Sequence, residues 1–322
     1  MAPEELELLR SQLPPFGESA ASNPQLEDFC RFYNIDFAAS RPGLKHTVGT
    51  VRSGVYTLAV HYWHQPRARS NLLLLHGYFD HTGLYGKLIG WGLSRNCNVL
   101  MFDLPGHGLS SGEPAVIDDF TDYSQAIDDV LAAVRLPQLP IWVMAQSTGC
   151  AALIDFAGRY PWPFSATVLL APLIRPTGWF GVRLSYSVLR PFVDSMRRKF
   201  VVNSSDREFL GFLERDPLQC RKISLRWVGA LSRWLGDLQQ RDLGVGPALI
   251  IQGDADTTVD WRYNIGFICS LFPDSVVAYL SGAGHQLANE SADYRRDYLQ
   301  RGETYLKEHG VELRDVSGIE TR

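Results

Sequence analysis

Between Ile141 and Ala157 the chain passes from one apolar run to another through Ala145-Gln146-Ser147-Thr148-Gly149, and no other stretch restricts the fold so tightly. Ile141, Trp142, Val143 and Met144 read as a short buried strand, and Cys150 to Ala157 as the start of a helix. A lone serine between small residues at such a junction occupies a sharp turn, which presents its Oγ at the end of the sheet. The spacing is that of G-x-S-x-G with Ala145 at the first glycine. Small residues suit the turn because strand and helix crowd together there. Ser147 is therefore a candidate nucleophile and the chain a candidate hydrolase, although Ser-x-Gly alone is common by chance.

The rest of the chain supplies a matching scaffold. Strand-like runs recur at Tyr56 to Trp63, Asn71 to Leu75, Asn98 to Phe102, Thr167 to Leu170, Ala248 to Ile251 and Val276 to Leu280. Several are apolar throughout rather than alternating, which suits strands covered on both faces, and helical stretches such as Asp118 to Val134 fall between them. The pattern predicts an α/β fold with a mostly parallel central sheet flanked by helices. Residues 1–42 carry two helical patterns, Glu4 to Leu13 and Pro24 to Phe32, separated by Pro14, Pro15 and Gly17, and form an N-terminal extension to a domain over 43–322.

The alternation stops at about 173–244, where helical character suggests an inserted lid. Pro191 divides its first half, so Leu184 and Val188 are expected on one face of a first helix and Phe192, Met196 and Phe200 on one face of a second. Arg190, Arg197, Arg198 and Lys199 are interleaved with them. Either the apolar stripe packs on the body with the basic residues solvated, or it forms an amphipathic surface that takes acyl chains and approaches anionic head groups.

Composition excludes several classes. With 45% hydrophobic residues, 20% charged residues and a formal net charge of −4, nothing points to a nucleic-acid partner. The five cysteines are scattered and odd in number, which argues against a complete disulfide framework and for a reducing compartment. The acidic first residues lack the pattern of a secretory signal, and no run approaches the ~18 to 20 apolar residues of a membrane span. A cytoplasmic location, with any membrane contact peripheral, is the expectation.

A serine nucleophile needs a general base, and the base needs an acid to fix its tautomer and stabilise the imidazolium. In strand–turn–helix serine hydrolases the chain order is Ser, then Asp or Glu, then His. Of the eight histidines only His285 and His309 follow Ser147. His309 sits in a charged helical tail, whereas His285 lies in Ser-Gly-Ala-Gly-His just after the strand ending at Leu280, at the strand end where such sheets place ligands. His285 is the candidate base. Three carboxylates follow the strand Ala248 to Ile251: Asp254 could satisfy turn amides, Asp260 could cap the next helix, and Asp256 lies between them with reach toward His285. Spacing favours Asp256 modestly.

With these residues placed, the chain resembles the α/β-hydrolase family and, within it, the monoglyceride lipase and lysophospholipase-like branch, over about residues 45 to 305. Four blocks carry the likeness. His76-Gly77-Tyr78-Phe79-Asp80-His81-Thr82-Gly83-Leu84-Tyr85 is similar to the oxyanion-loop motif, and Asp103-Leu-Pro-Gly-His-Gly-Leu-Ser-Ser-Gly112 to the Asp-x-x-Gly-His-Gly-x-Ser-x-Gly stretch. Gly253-x-x-Asp-x-x-Val259 matches the acid motif, and Gly284-His285 the base. The resemblance implies that Asp256 is the acid and that the backbone N–H groups of Tyr78 and Thr148 form the oxyanion hole. It also implies that His76, Asp80, His81 and His107 shape loops beside the site rather than ligate a metal, and that no cofactor is needed. The nucleophile motif departs from the branch at Ala145, Gln146 and Thr148, where Gly, His and Met are more usual, and at Cys150, where a second glycine is common.

The expected activity is hydrolysis of a lipid-like carboxylic ester, such as a monoacylglycerol or lysophospholipid, through a Ser147–Asp256–His285 triad. A thioesterase or serine aminopeptidase could use the same triad, the latter with Asp206, Glu208, Glu214 or Asp216 holding the substrate amine. A ligand-binding protein on a hydrolase fold is the non-enzymatic alternative.

Overall fold

Strands that are apolar along their whole length must be covered on both faces, and that requirement organises this molecule. The computed structural model describes residues 1–18, 23–198, 200–238 and 243–314. In chain order its strands are β1 (Lys45–Ser53), β2 (Tyr56–His64), β3 (Ser70–Leu75), β4 (Cys97–Phe102), β5 (Ile141–Gln146), β6 (Ala166–Leu170), β7 (Ser195–Arg197), β8 (Lys222–Ser224), β9 (Leu249–Gly253) and β10 (Val276–Leu280). Eight of them form one sheet in the order β1-β2-β4-β3-β5-β6-β9-β10. The pairs β1–β2 and β2–β4 are antiparallel, and every pairing from β4 to β10 is parallel.

The period of two splits each central strand between two cores. Leu73, Leu75, Val143, Ala145 and Ile250 face the helices Thr121–Ala133 and Thr148–Ala157. Leu72, Leu74, Trp142, Met144 and Ile251 face Gly86–Ser94 and Ala292–Glu308. The second core also takes in Leu6 and Leu9 from the helix Pro3–Gln12 and Phe29 and Cys30 from Pro24–Phe32. The N-terminal segment is thus built into the packing.

Strand β1 has no counterpart among the expected strands. Its sequence is mostly polar, with Val48 and Val51 three residues apart and in opposite cores, and it is fixed by a hairpin to β2 through Gly54 at φ 53°. Pro14 to Phe16 run beside it: Phe16 N–H donates to Thr50 O at 2.9 Å and Thr50 N–H to Pro14 O at 2.7 Å. A Cβ at Gly49 would lie 2.7 Å from Phe16 Cα, so only glycine admits this approach.

Between β6 and β9 lie the helices Trp179–Leu189, Arg207–Leu213 and Leu225–Leu238 and the antiparallel ribbon of β7 and β8. The expected second helix carrying Phe192, Met196 and Phe200 is replaced by this ribbon. Pro191 cannot continue the helical ladder, the chain turns with Phe192 and Val193 N–H on Leu189 O, and Ser195–Arg197 then pair with Lys222–Ser224. Lys199 lies outside the described residues. Packing of the first stripe on the body is also overturned, for Leu184 and Val188 are each 58% exposed, with Phe180 at 84% and Phe192 at 80%.

Candidate active site

Ser147 joins the end of β5 to the helix Thr148–Ala157 with φ 52° and ψ −112°, a conformation that a non-glycine residue adopts only where its surroundings enforce it. Its N–H donates to Leu170 O of β6 at 3.0 Å, and its carbonyl accepts from Leu173 N–H at 3.2 Å. A Cβ at Gly149 would meet Leu75 O at 2.6 Å and His76 O at 2.8 Å, which explains why the elbow needs glycine at that position.

His285 follows β10, and its Nε2 lies 2.9 Å from Ser147 Oγ. Its Nδ1 is 2.7 Å from Asp256 Oδ2. Asp256 sits in the loop after β9, where Oδ1 accepts the Thr258 N–H at 2.7 Å and the Val259 N–H at 3.2 Å, and Oδ2 also accepts from Gln252 Nε2 at 3.1 Å. Burial pushes this carboxyl up, but His285 and these donors outweigh it and hold it below the usual carboxylate range. The two loops meet closely, since a Cβ at Gly253 would lie 2.3 Å from Ala283 O.

The neighbouring candidates go elsewhere. Asp254 accepts the Gly282 N–H at 2.7 Å, the turn role open to it in the sequence. Asp260 stands at the N-cap of Trp261–Leu271 without a side-chain cap; its Oδ2 instead pairs with Arg175 at 2.7 Å. His309 ends the helix Ala292–Glu308 and holds Tyr305 O at 2.8 Å.

Tyr78 and Thr148 bracket Ser147 in the fold, one after β3 and one at the first position of the nucleophile helix, and among the described residues neither N–H has an acceptor. Gly77 lies against the nucleophile: a Cβ there would be 3.4 Å from Ser147 Cβ. Burial lowers His76 to about 4 and His107 to about 3, so both rings are neutral near pH 7. His76 Nε2 accepts the Leu104 N–H at 2.9 Å. Asp80 receives Gln286 Nε2 at 2.9 Å and the Tyr85 hydroxyl at 3.1 Å. His81 Nδ1 accepts the Gly83 N–H at 3.2 Å, leaving Nε2–H for Asp216 at 2.9 Å, and Tyr33 O–H donates to the other Asp216 oxygen at 2.6 Å.

Several residues around the site were not assigned to it from the sequence. Gln252 and Gln286 are buried polar residues next to motif positions, a usable signal, whereas Arg198 and Gln219 of the inserted segment reach the oxyanion loop only through tertiary contact. Trp227 of the same segment stacks on Tyr78 with ring centroids 4.0 Å apart. With that cover in place Ser147 is 7% and His285 6% exposed.

Residues 66–292 match the family model described as serine aminopeptidase, S33. Monoglyceride lipase of Mus musculus is 26% identical over 263 residues, covering 76% of this chain and 85% of its own length. The Homo sapiens monoglyceride lipase is 28% identical over 217 residues, covering 62% and 69%. A soluble variant of Saccharomyces cerevisiae monoglyceride lipase in complex with a substrate analog superposes with a TM-score of 0.70 at 18% identity, over 81% of this chain and 94% of that one. For monoacylglycerol lipase of Paleococcus ferrophilus the TM-score is 0.68 at 21% identity, over 78% and 99%. These two structures share the fold.

Proposed function

Because the chain belongs to the serine aminopeptidase, S33 family of α/β hydrolases, we propose that it hydrolyses lipid-like carboxylic esters, with a monoacylglycerol or lysophospholipid as the substrate class. The observation that carries the proposal is the run of contacts from Ser147 Oγ to His285 Nε2 at 2.9 Å and from His285 Nδ1 to Asp256 at 2.7 Å. In this reading Ser147 Oγ attacks the ester carbonyl as its proton passes to His285 Nε2, and the Tyr78 and Thr148 N–H groups receive the charge that grows on the carbonyl oxygen. His285 then protonates the leaving alcohol oxygen as the carbon–oxygen bond breaks. Water attacks the acyl-enzyme, gives a proton to His285, and the acid departs as Ser147 recovers its proton. Asp256 keeps the Nδ1–H tautomer and stabilises the imidazolium.

Monoglyceride lipase relatives and the apolar inserted segment support a fatty-acyl ester. An aminopeptidase would need a free carboxylate for the substrate amine, and the segment offers a poor choice. Asp206 is paired with Lys87 at 2.5 Å, Asp216 is bound to His81 and Tyr33, and Glu208 and Glu214 are exposed. Within this proposal residues 43–322 form the hydrolase domain and 173–244 its cap. Exposed Phe180, Leu184, Val188 and Phe192 make the cap a surface for peripheral membrane contact. No described helix is long and apolar enough to cross a membrane.

The test is labelling by a fluorophosphonate probe together with turnover of p-nitrophenyl esters from acetate to palmitate, in the wild type and in Ser147→Ala. Labelling and turnover should both vanish in the variant, with an optimum at long acyl chains. Turnover that survives in Ser147→Ala overturns the assignment.

A further inference from the structure

We propose that Arg198 and Gln219, two cap residues that touch neither Ser147 nor His285 nor Asp256, are positioning residues: by gripping Phe79 they hold the Tyr78 N–H where it can receive the oxyanion. The inference rests on the ester-hydrolase reading of the site. It starts from a four-residue turn, Gly77 to Asp80, closed by the Asp80 N–H on Gly77 O at 3.1 Å. Phe79 takes the third place of that turn at φ 70°. A positive φ there belongs to glycine or asparagine, and a bulky aromatic residue holds it only under constraint from outside the turn.

The constraint comes from the cap. The Arg198 guanidinium lies over the Phe79 ring, 3.9 Å from its centroid, and Gln219 Nε2 donates to Phe79 O at 2.9 Å. Arg198 Nη1 donates in turn to Gln219 Oε1 at 2.9 Å, so the two residues act as one clamp on ring and carbonyl. The Arg198 main chain is itself held, its N–H donating to Arg221 O at 2.9 Å beside the β7–β8 ribbon. Next to the clamp, Trp227 stacks on Tyr78 and Asp216 receives His81, so three residues of the oxyanion loop are fastened to the cap. Without the clamp Phe79 relaxes toward negative φ, the Asp80 N–H leaves Gly77 O, and the Gly77–Tyr78 peptide, which carries both that carbonyl and the Tyr78 N–H, rotates so that the donor leaves its place. Assembly of the oxyanion hole is in this way tied to seating of the cap.

Arg198→Ala and Gln219→Ala are to be compared with the full-length wild type on a short soluble ester and with a trifluoromethyl ketone, which forms a tetrahedral oxyanion on the serine. Each variant should lower kcat about tenfold, less than the ~10²- to 10³-fold expected for outright loss of an oxyanion donor, and weaken the ketone by a similar factor with KM unchanged. Phe79→Gly tolerates positive φ without help, so in that background both losses should disappear. An unchanged kcat, a rise confined to KM, or an equal loss in the Phe79→Gly background overturns the inference. Arg198→Lys, which keeps charge but not the flat stacking group, replaces Arg198→Ala if that variant does not fold, and should lose kcat likewise. A wild type without Ser147-dependent turnover overturns the ester-hydrolase reading and this inference with it; Ser147-dependent turnover with no effect of the clamp variants overturns the inference alone.

Discussion

Gln146, the residue before Ser147, donates its side-chain amide to the main-chain carbonyl of His285 at 2.9 Å and accepts the Ala288 N–H at 3.2 Å. The departure from the resembling branch at this position therefore braces the nucleophile elbow against the loop of the base. Gln146→Ala leaves the Ala288 N–H unpaired in a buried place, at about 1–3 kcal/mol, and leaves the His285 carbonyl with the Leu287 N–H at 2.9 Å as its remaining donor. It should also let His285 drift, with a fall in kcat of about 10- to 100-fold, since a misplacement of about 1 Å can reduce rate to that degree. Steady-state kinetics alongside urea unfolding separates the two effects.

Asp254 and Asp256 lie two residues apart on one loop and should behave oppositely. Asp256→Asn gives His285 the wrong tautomer and should lower kcat by about 10⁴-fold. Asp254→Asn disturbs only the bond from the Gly282 N–H and should change kcat by less than about threefold, with a stability loss near 1 kcal/mol. Similar losses in both variants would refute the division of roles.

The Asp216 carboxylate gives a pH dependence of stability. Burial pushes it up, but His81, the Tyr33 hydroxyl and the Leu218 N–H outweigh that and hold it at about 2. Because the folded value is depressed below about 4 for an unfolded aspartate, its contribution is fully present above pH ~4 and is lost as pH falls through about 2. Asp216→Asn should destabilise the protein by about 2 kcal/mol at pH 7, and the gap to the wild type should close as the pH is lowered toward 2. Urea titrations at pH 7, 4 and 3 measure it.

Vesicle binding should depend on the outer face of Trp179–Leu189. If Leu184 and Val188 enter an acyl layer, each gains about 1.5–3 kcal/mol of apolar burial, so Leu184→Asp with Val188→Asp should weaken flotation with liposomes at least about 100-fold. Turnover of a short soluble ester should stay unchanged. Equal flotation of the wild type and the double variant would exclude this face as the contact.

The parallel strands β3, β4 and β5 and the turns that end them were legible because they are apolar runs closed within two residues by Gly77, Asp103 and Ser147. Ser147, Asp256 and His285 follow β5, β9 and β10, and the fold brings them together from three loops. Strand β1 was not legible, since a mostly polar run with Val48 and Val51 three apart shows no strand period until it pairs with β2. The segment after Pro191 misled for a related reason: Phe192, Met196 and Phe200 keep a helical spacing, but Ser195–Arg197 found a partner strand far along the chain in Lys222–Ser224. Arg198 and Gln219 carry no motif at all. Their relation to Phe79 exists only once the inserted segment has folded onto the oxyanion loop.

The short run Pro14 to Phe16 along β1 has a consequence for association between molecules. A free edge strand is a template for another chain, and here part of the β1 ladder is already taken by a neighbour from the same polypeptide, with Gly49 allowing the contact and Pro14 and Pro15 presenting no N–H of their own to extend it outward. The N-terminal segment thereby acts as a built-in guard on that side of the sheet, making growth of a shared sheet between copies self-limiting.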